Sequence, residues 1–128
     1  MPVHLDTDFL IYALHAAGPE RRWLHEVAAT GQVIEISATA WYEFSRGPRT
    51  AEQLATARAF FGIDGVVPFS ERLAAIAADV FRQLGSPRRR AADIAIGVTA
   101  TSRDATLMSL NAKDFAGIPG IRVESASS

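Results

Sequence analysis

Short β-branched or apolar runs alternate with longer stretches of helical periodicity along the whole chain, and this alternation constrains the fold more than any other feature. Val3-His4-Leu5 reads as a strand that stops at Asp6. Thr7 or Asp8 is placed to cap residues 9–14 as a short helix. Pro19 suits the first turn of a second helix, which carries Leu24, Val27 and Ala28 and ends near Gly31. Residues 33–37 read as strand two, and Ala38–Ser45 as a helix stopped by Gly47-Pro48. Thr50 and Gln53 have capping-box spacing and open a helix with Leu54, Ala57 and Phe61 on one face. Residues 66–69 read as a third strand, at an edge because Pro68 cannot donate to a ladder.

Ser70 then caps an amphipathic helix expected to bury Leu73, Ile76, Ala77, Val80 and Leu84. Ala91–Ser102 is apolar nearly all round, as a helix lying against a sheet should be. Residues 106–110 and 121–123 supply strands four and five. Strands alternating with helices predict an α/β fold: a three-layer α/β/α arrangement around a mostly parallel five-stranded sheet. At 128 residues the chain is expected to form one domain spanning 1–128.

Composition excludes several function classes. There is no cysteine, so disulfides, thiolate metal sites and cysteine nucleophiles are ruled out. A net charge of -1 argues against a strongly basic whole-domain footprint but leaves room for a local basic patch. The apolar runs fall far short of the roughly 18 residues a spanning helix needs. The start Met1-Pro2-Val3-His4-Leu5-Asp6 has no basic segment of an export signal. The expectation is a soluble cytoplasmic protein with no membrane partner.

In open α/β sheets ligands bind beyond the carboxyl ends of the strands. Asp6 directly follows strand one, Asn111 directly follows strand four, and Asp114 comes one turn later. Glu43 lies within Ala40-Trp41-Tyr42-Glu43-Phe44, and Asp93 within Ala91-Ala92-Asp93-Ile94-Ala95-Ile96, both apolar settings. Gathered carboxylates repel one another, and a divalent cation relieves that repulsion. A set of oxygen ligands suits a hard ion such as Mg²⁺ or Mn²⁺, and the chemistry it suggests is hydrolysis of a phosphodiester. Each residue also has a plainer reading. Asp6 and Asp93 could cap or complement helix N-termini, Glu43 could be an exposed helix acid, and Asn111 and Asp114 could form a turn. Arg46 and Arg49 beside Glu43, and Arg88-Arg89-Arg90 ahead of Asp93, are either solvated faces or, if the resemblance given below holds, holders of RNA phosphates. His4, His15 and His25 share no ligand spacing.

The string Leu5-Asp6-Thr7-Asp8-Phe9-Leu10-Ile11 resembles the opening of PIN domains, in which an Asp ends the first strand and Thr, often with Asn, follows. Glu43-Phe44-Ser45-Arg46-Gly47 looks like that family's second acid and its basic-glycine turn. Asp93-Ile94-Ala95-Ile96 and Leu110-Asn111-Ala112-Lys113-Asp114-Phe115 look like the third and fourth acidic segments, in the right order. The chain is similar in length to the stand-alone bacterial toxins called VapC. The resemblance implies a Mg²⁺-dependent endoribonuclease toxin of a type II toxin–antitoxin pair, inhibited by a small VapB antitoxin and dimeric. It implies Asp6, Glu43, Asp93 and Asp114 as the catalytic, metal-holding set, with Asn111, Thr7 and Asp8 in support. Asp8 stands where the family often has Asn. The family's strand order, 3-2-1-4-5, would make Asp6 and Asn111 face each other across the switch point. Two other readings remain open from the residues: a haloacid-dehalogenase-type phosphatase using Asp6 and Asp8, and a non-catalytic PIN-like module; a response-regulator receiver domain needs a phospho-accepting Asp after strand three, where the chain instead runs Phe69-Ser70-Glu71.

Overall fold

The computed structural model describes residues 1–126. Strand β1 (Val3–Leu5) leads into helix α1 (Thr7–His15), and α2 (Pro19–Ala29) returns the chain to β2 (Ile34–Ser37). Helices α3 (Ala38–Ser45) and α4 (Ala51–Arg58) precede β3 (Val66–Val67). Helix α5 (Glu71–Gln83), a 3-10 turn at Arg88–Arg90 and α6 (Ala91–Ser102) precede β4 (Thr106–Met108). A second 3-10 turn, Ala112–Phe115, leads to β5 (Val123–Glu124). The strands form one sheet in the order β3-β2-β1-β4-β5, with every pair parallel. The order reverses between β1 and β4, where a ligand crevice is expected. It differs from the 2-1-3-4-5 order of receiver domains, which removes that reading.

Every residue of β1 and β2 is buried, as strands covered on both faces must be. Crossovers between parallel strands are right-handed as a rule, and with this strand order the rule puts the connecting helices on opposite faces on either side of the switch. Leu5, Phe9, Ile36, Phe44, Ile96 and Leu107 are fully buried members of one core. From residue 94 to residue 100 every side chain of α6 is buried, so this helix is packed on all sides. Gly97 allows the segment after β4 to lie directly on it: a Cβ there would stand 2.6 Å from Ile118 Cδ1. Among the described residues, no helix is long and apolar enough to cross a membrane.

A buried polar group sits in the middle of the sheet. His4 Nε2 donates to Glu35 Oε1 at 2.9 Å, and Arg103 Nε and Nη2 donate to the same carboxylate at 3.1 and 2.7 Å. Burial holds the His4 ring neutral by lowering its pKa, against the pull of Glu35. Burial also opposes charge on Glu35, but donation from Arg103 and His4 outweighs it and keeps that carboxyl below its usual range. This arrangement pairs the Glu35 carboxylate that the strand pattern forces inward, while His4 Nδ1 is buried without a partner among the described residues.

Several local expectations are corrected. Asp6, not Thr7 or Asp8, caps α1, because β1 ends one residue before it and its side chain accepts from the Phe9 N–H. Strand four stops at Met108, leaving Leu110 exposed, and strand five begins at Val123, beyond the turn made by Gly120. Val33 is exposed and outside β2, and Ile76 is exposed although Leu73, Ala77 and Val80 on the same helix are buried. The buried stripe of α5 is therefore narrower than the apolar pattern suggested. The capping box at Thr50 and Gln53 is present as expected.

Candidate active site

The parallel register pairs Leu5 with Met108, so the next residues, Asp6 and Ser109, leave the sheet side by side. Asp6 Oδ1 accepts from the Phe9 N–H at 2.8 Å, and Asp6 Oδ2 accepts from Ser109 Oγ at 2.5 Å. Capping and site geometry thus coincide: the carboxylate that starts α1 is fixed in one orientation at the mouth of the switch point. Ser109 itself accepts from the Asn111 N–H at 3.0 Å. Asn111 does not face Asp6, because β4 ends before it; Ser109 takes that place. Asn111 Nδ2 instead donates to Asp114 Oδ1 at 3.2 Å.

Helix α3 starts at the carboxyl end of β2, capped by Ser37, and carries Glu43 two turns later. Thr7 Oγ1 donates to Glu43 Oε1 at 2.7 Å, linking α1 to α3. Asp93 is in the first turn of α6, where the helix dipole favours a negative charge. Asp6, Asp8, Glu43, Asp93 and Asp114 line one cleft of about 280 Å³, together with Thr7, Arg46 and Ile96. Among the described residues no three acids or histidines are already drawn into a closed ligand set. The acids ring an open cleft at distances that still let their charges interact.

The cost of that gathering is visible in the proton affinities. Burial pushes the Asp6 carboxyl up to about 6, with Asp8 and Asp114 adding repulsion, against the stabilising bonds from Ser109 and Phe9. Burial and the neighbouring charges of Asp114, Glu43 and Asp6 push Asp93 up to about 6, with Arg90 opposing. A larger cleft of about 310 Å³ beside His15 and α4 has no such convergence; Glu52 is its only acid.

The profile of the PIN domain matches residues 3–121, nearly the whole chain. The chain belongs to the PIN-domain family. Solved structures share the fold of this PIN domain along its length. A toxin–antitoxin complex from Klebsiella pneumoniae is 24% identical, with 97% of each chain covered and a TM-score of 0.73. VapBC2 from Rickettsia felis, bound to a DNA fragment from its promoter, is 20% identical, with 98% of each chain covered and a TM-score of 0.70. FitAcB from Neisseria gonorrhoeae is 19% identical, with 99% of each chain covered and a TM-score of 0.70. No curated protein matches the chain.

The basic residues separate into different surroundings. Arg46 is exposed, lies over the Tyr42 ring and stands 4.0 Å from Glu43 Oε2. Arg49 is outside the cleft and stacks on Phe44, 4.4 Å from the ring centroid. Arg88 and Arg89 are exposed, whereas Arg90 is half-buried and turned toward backbone carbonyls. Ser109 is the one residue at the site to which the sequence did not point. Its signal is its position opposite Asp6 in the register, which is visible only once strands one and four are paired.

Proposed function

We propose that this PIN domain is a metal-dependent endoribonuclease and the toxin of a type II toxin–antitoxin pair. The observation that carries this reading is the convergence of Asp6, Glu43, Asp93 and Asp114, from four separate segments, on one cleft beyond the strand ends. Their donor atoms are all oxygen, and two of the carboxyls are held near protonation by burial and mutual repulsion, so the set fits Mg²⁺ or Mn²⁺. A bound ion would supply the positive charge that activates water and stabilises charge developing on a phosphoryl group.

The protein's own residues prepare the cleft. Phe9 N–H and Ser109 Oγ orient Asp6 in advance. Thr7 occupies Glu43 Oε1 and leaves Oε2 for the cleft. Asn111 steadies Asp114 through its Oδ1, and Ile96 adds an apolar wall. Asp8 adds an acid at the mouth. Arg88 and Arg89 are exposed and free to meet RNA phosphates, and Arg46, 4.0 Å from Glu43 Oε2, adds positive charge at the cleft itself, offsetting repulsion between the acids and the substrate. A phosphatase reading with Asp6 as nucleophile fits less well. In that reading Glu43 and Asp114 would have no task in the cleft they line. A purely binding module gives no reason to keep four mutually repelling acids together.

The toxin–antitoxin complexes that share the fold support a small VapB-like antitoxin as partner. A homodimer acting in the cytoplasm completes the proposal. Controlled expression in a bacterium tests it: the wild type should arrest growth, and Asp93→Asn should relieve the arrest while the protein stays folded. Continued arrest by folded Asp93→Asn would overturn the assignment of this cleft.

A further inference from the structure

We propose that Arg90 is a positioning residue that fastens the turn carrying Asp114 to the start of the helix carrying Asp93, and so sets the spacing between these two acids. The inference rests on the reading of Asp93 and Asp114 as partners in one metal-holding cleft. It gives Arg90 a task different from the RNA contact expected of the arginine run.

Arg90 closes the 3-10 turn Arg88–Arg90, immediately before α6. Its Nε and Nη2 donate to the Asp114 carbonyl oxygen at 3.3 and 3.2 Å, and Nη2 also donates to the Ala116 carbonyl oxygen. One guanidinium therefore holds the backbone on both sides of Phe115. A planar fork of N–H donors is suited to two carbonyls at once, which a lysine ammonium is not.

The turn needs such a hold. Ala112–Phe115 is a single 3-10 turn; Asn111 steadies the Asp114 carboxylate, but no side chain caps the turn's backbone, which therefore depends on anchors from outside. Asp114 and Asp93 line the same cleft, and their like charges push them apart. On its far side the turn is anchored by packing: Phe115 and Ile118 are buried, and Ile118 and Phe115 lie over Gly97 of α6. Arg90 supplies the second anchor, on the side nearer the acids. Two anchors on the same helix fix the turn's orientation, where one would leave it free to pivot. Arg88 and Arg89 make no comparable contact and remain at the surface.

The test compares Arg90→Lys and Arg90→Ala with the double variant Arg88→Ala/Arg89→Ala. Three measurements are made: amide hydrogen exchange in metal-free protein, Mn²⁺ affinity by calorimetry, and the salt dependence of binding to a single-stranded RNA. Both Arg90 variants should speed exchange selectively at residues 112–117, leave α5 and the sheet protected, and weaken Mn²⁺ binding by about 10-fold, as loss of an outer support typically does. The slope of RNA affinity against salt should stay as in the wild type. Unchanged exchange at 112–117 and unchanged Mn²⁺ affinity would overturn the proposal, and a flattened salt slope in the same variant would make Arg90 a phosphate contact. Arg90→Lys keeps the charge and stem, so it guards against a folding defect in the alanine variant. Failure of the underlying nuclease reading is read separately: wild-type protein would then bind no Mn²⁺ that Asp93→Asn removes, while the exchange data alone would decide whether Arg90 holds the turn.

Discussion

The Ser109 hydroxyl donates to Asp6 Oδ2 at 2.5 Å across the seam between β4 and β1. This bond favours the charged carboxylate against the burial that opposes it. Ser109→Ala should therefore raise the Asp6 proton affinity above its present value of about 6. A hydrogen bond to a charged group is worth about 1.5 kcal/mol or more, so the alkaline shift should be about one pH unit. The pH dependence of Mn²⁺ binding reads it directly. Ser109→Thr, which keeps the hydroxyl, should restore the wild-type profile. An unshifted profile in Ser109→Ala would show that the bond does not tune Asp6.

Asp6 is also costly to the fold in the absence of metal. Its folded value of about 6 lies above the ordinary 3.8, so the folded state holds this proton more tightly than the unfolded chain does. The stability it contributes is present below about pH 4, declines as pH rises toward 6, and stays lost at pH 7. Linkage puts the loss at up to about 3 kcal/mol. Asp6→Asn removes the charge while keeping an acceptor for the Phe9 N–H. It should raise the metal-free melting temperature at pH 7 and bring no gain at pH 4. Saturating Mg²⁺ should stabilise the wild type and not this variant. Equal melting temperatures of the two metal-free proteins at pH 7 would contradict the burial argument.

The exposed arginines give a prediction about affinity. Replacing Arg88 and Arg89 by Ala touches neither the acids nor the hydrogen bonds of Arg90. If both meet phosphates, RNA binding should weaken across sequences, and its salt slope should flatten by about one unit for each phosphate that is no longer neutralised. Affinity measured at several salt concentrations decides this. An unchanged slope would mark both as solvated and move the search to Arg46.

The parts of the fold and site that are legible in the sequence share a cause. Asp6 stands out because an acid ends the short strand run Val3-His4-Leu5, and a strand signal of this kind is a local property. The capping box at Thr50 and the all-round apolar character of Ala91–Ser102 are local as well. What is not legible depends on partners distant in sequence. Strand four ends at Met108 because its neighbours stop pairing there, not because residues 109–110 are poor strand formers. That difference of two residues puts Ser109 in the place expected for Asn111. The three arginines at 88–90 are identical in sequence terms, and only the turn at 112–116 distinguishes Arg90. Ile76 fits the helical stripe, but its exposure is decided by how far α6 covers α5. The gathering of Glu43 and Asp93 with Asp6 does not follow from their spacing along the chain; the shared cleft supplies it.

Asp6, Glu43, Asp93 and Asp114 are proposed to form a metal-dependent ribonuclease site. The most direct measurement incubates purified protein with RNA in Mg²⁺, in Mn²⁺ and in excess EDTA, and maps the ends produced. Hydrolysis by water breaks the bond from phosphorus to the 3′ oxygen, so the account predicts 5′-phosphate and 3′-hydroxyl ends, formed only with metal. Asp93→Asn should reduce the rate at least about 100-fold, as loss of a group central to charge stabilisation does. Full cleavage in EDTA, or ends carrying a 2′,3′-cyclic phosphate, would contradict it.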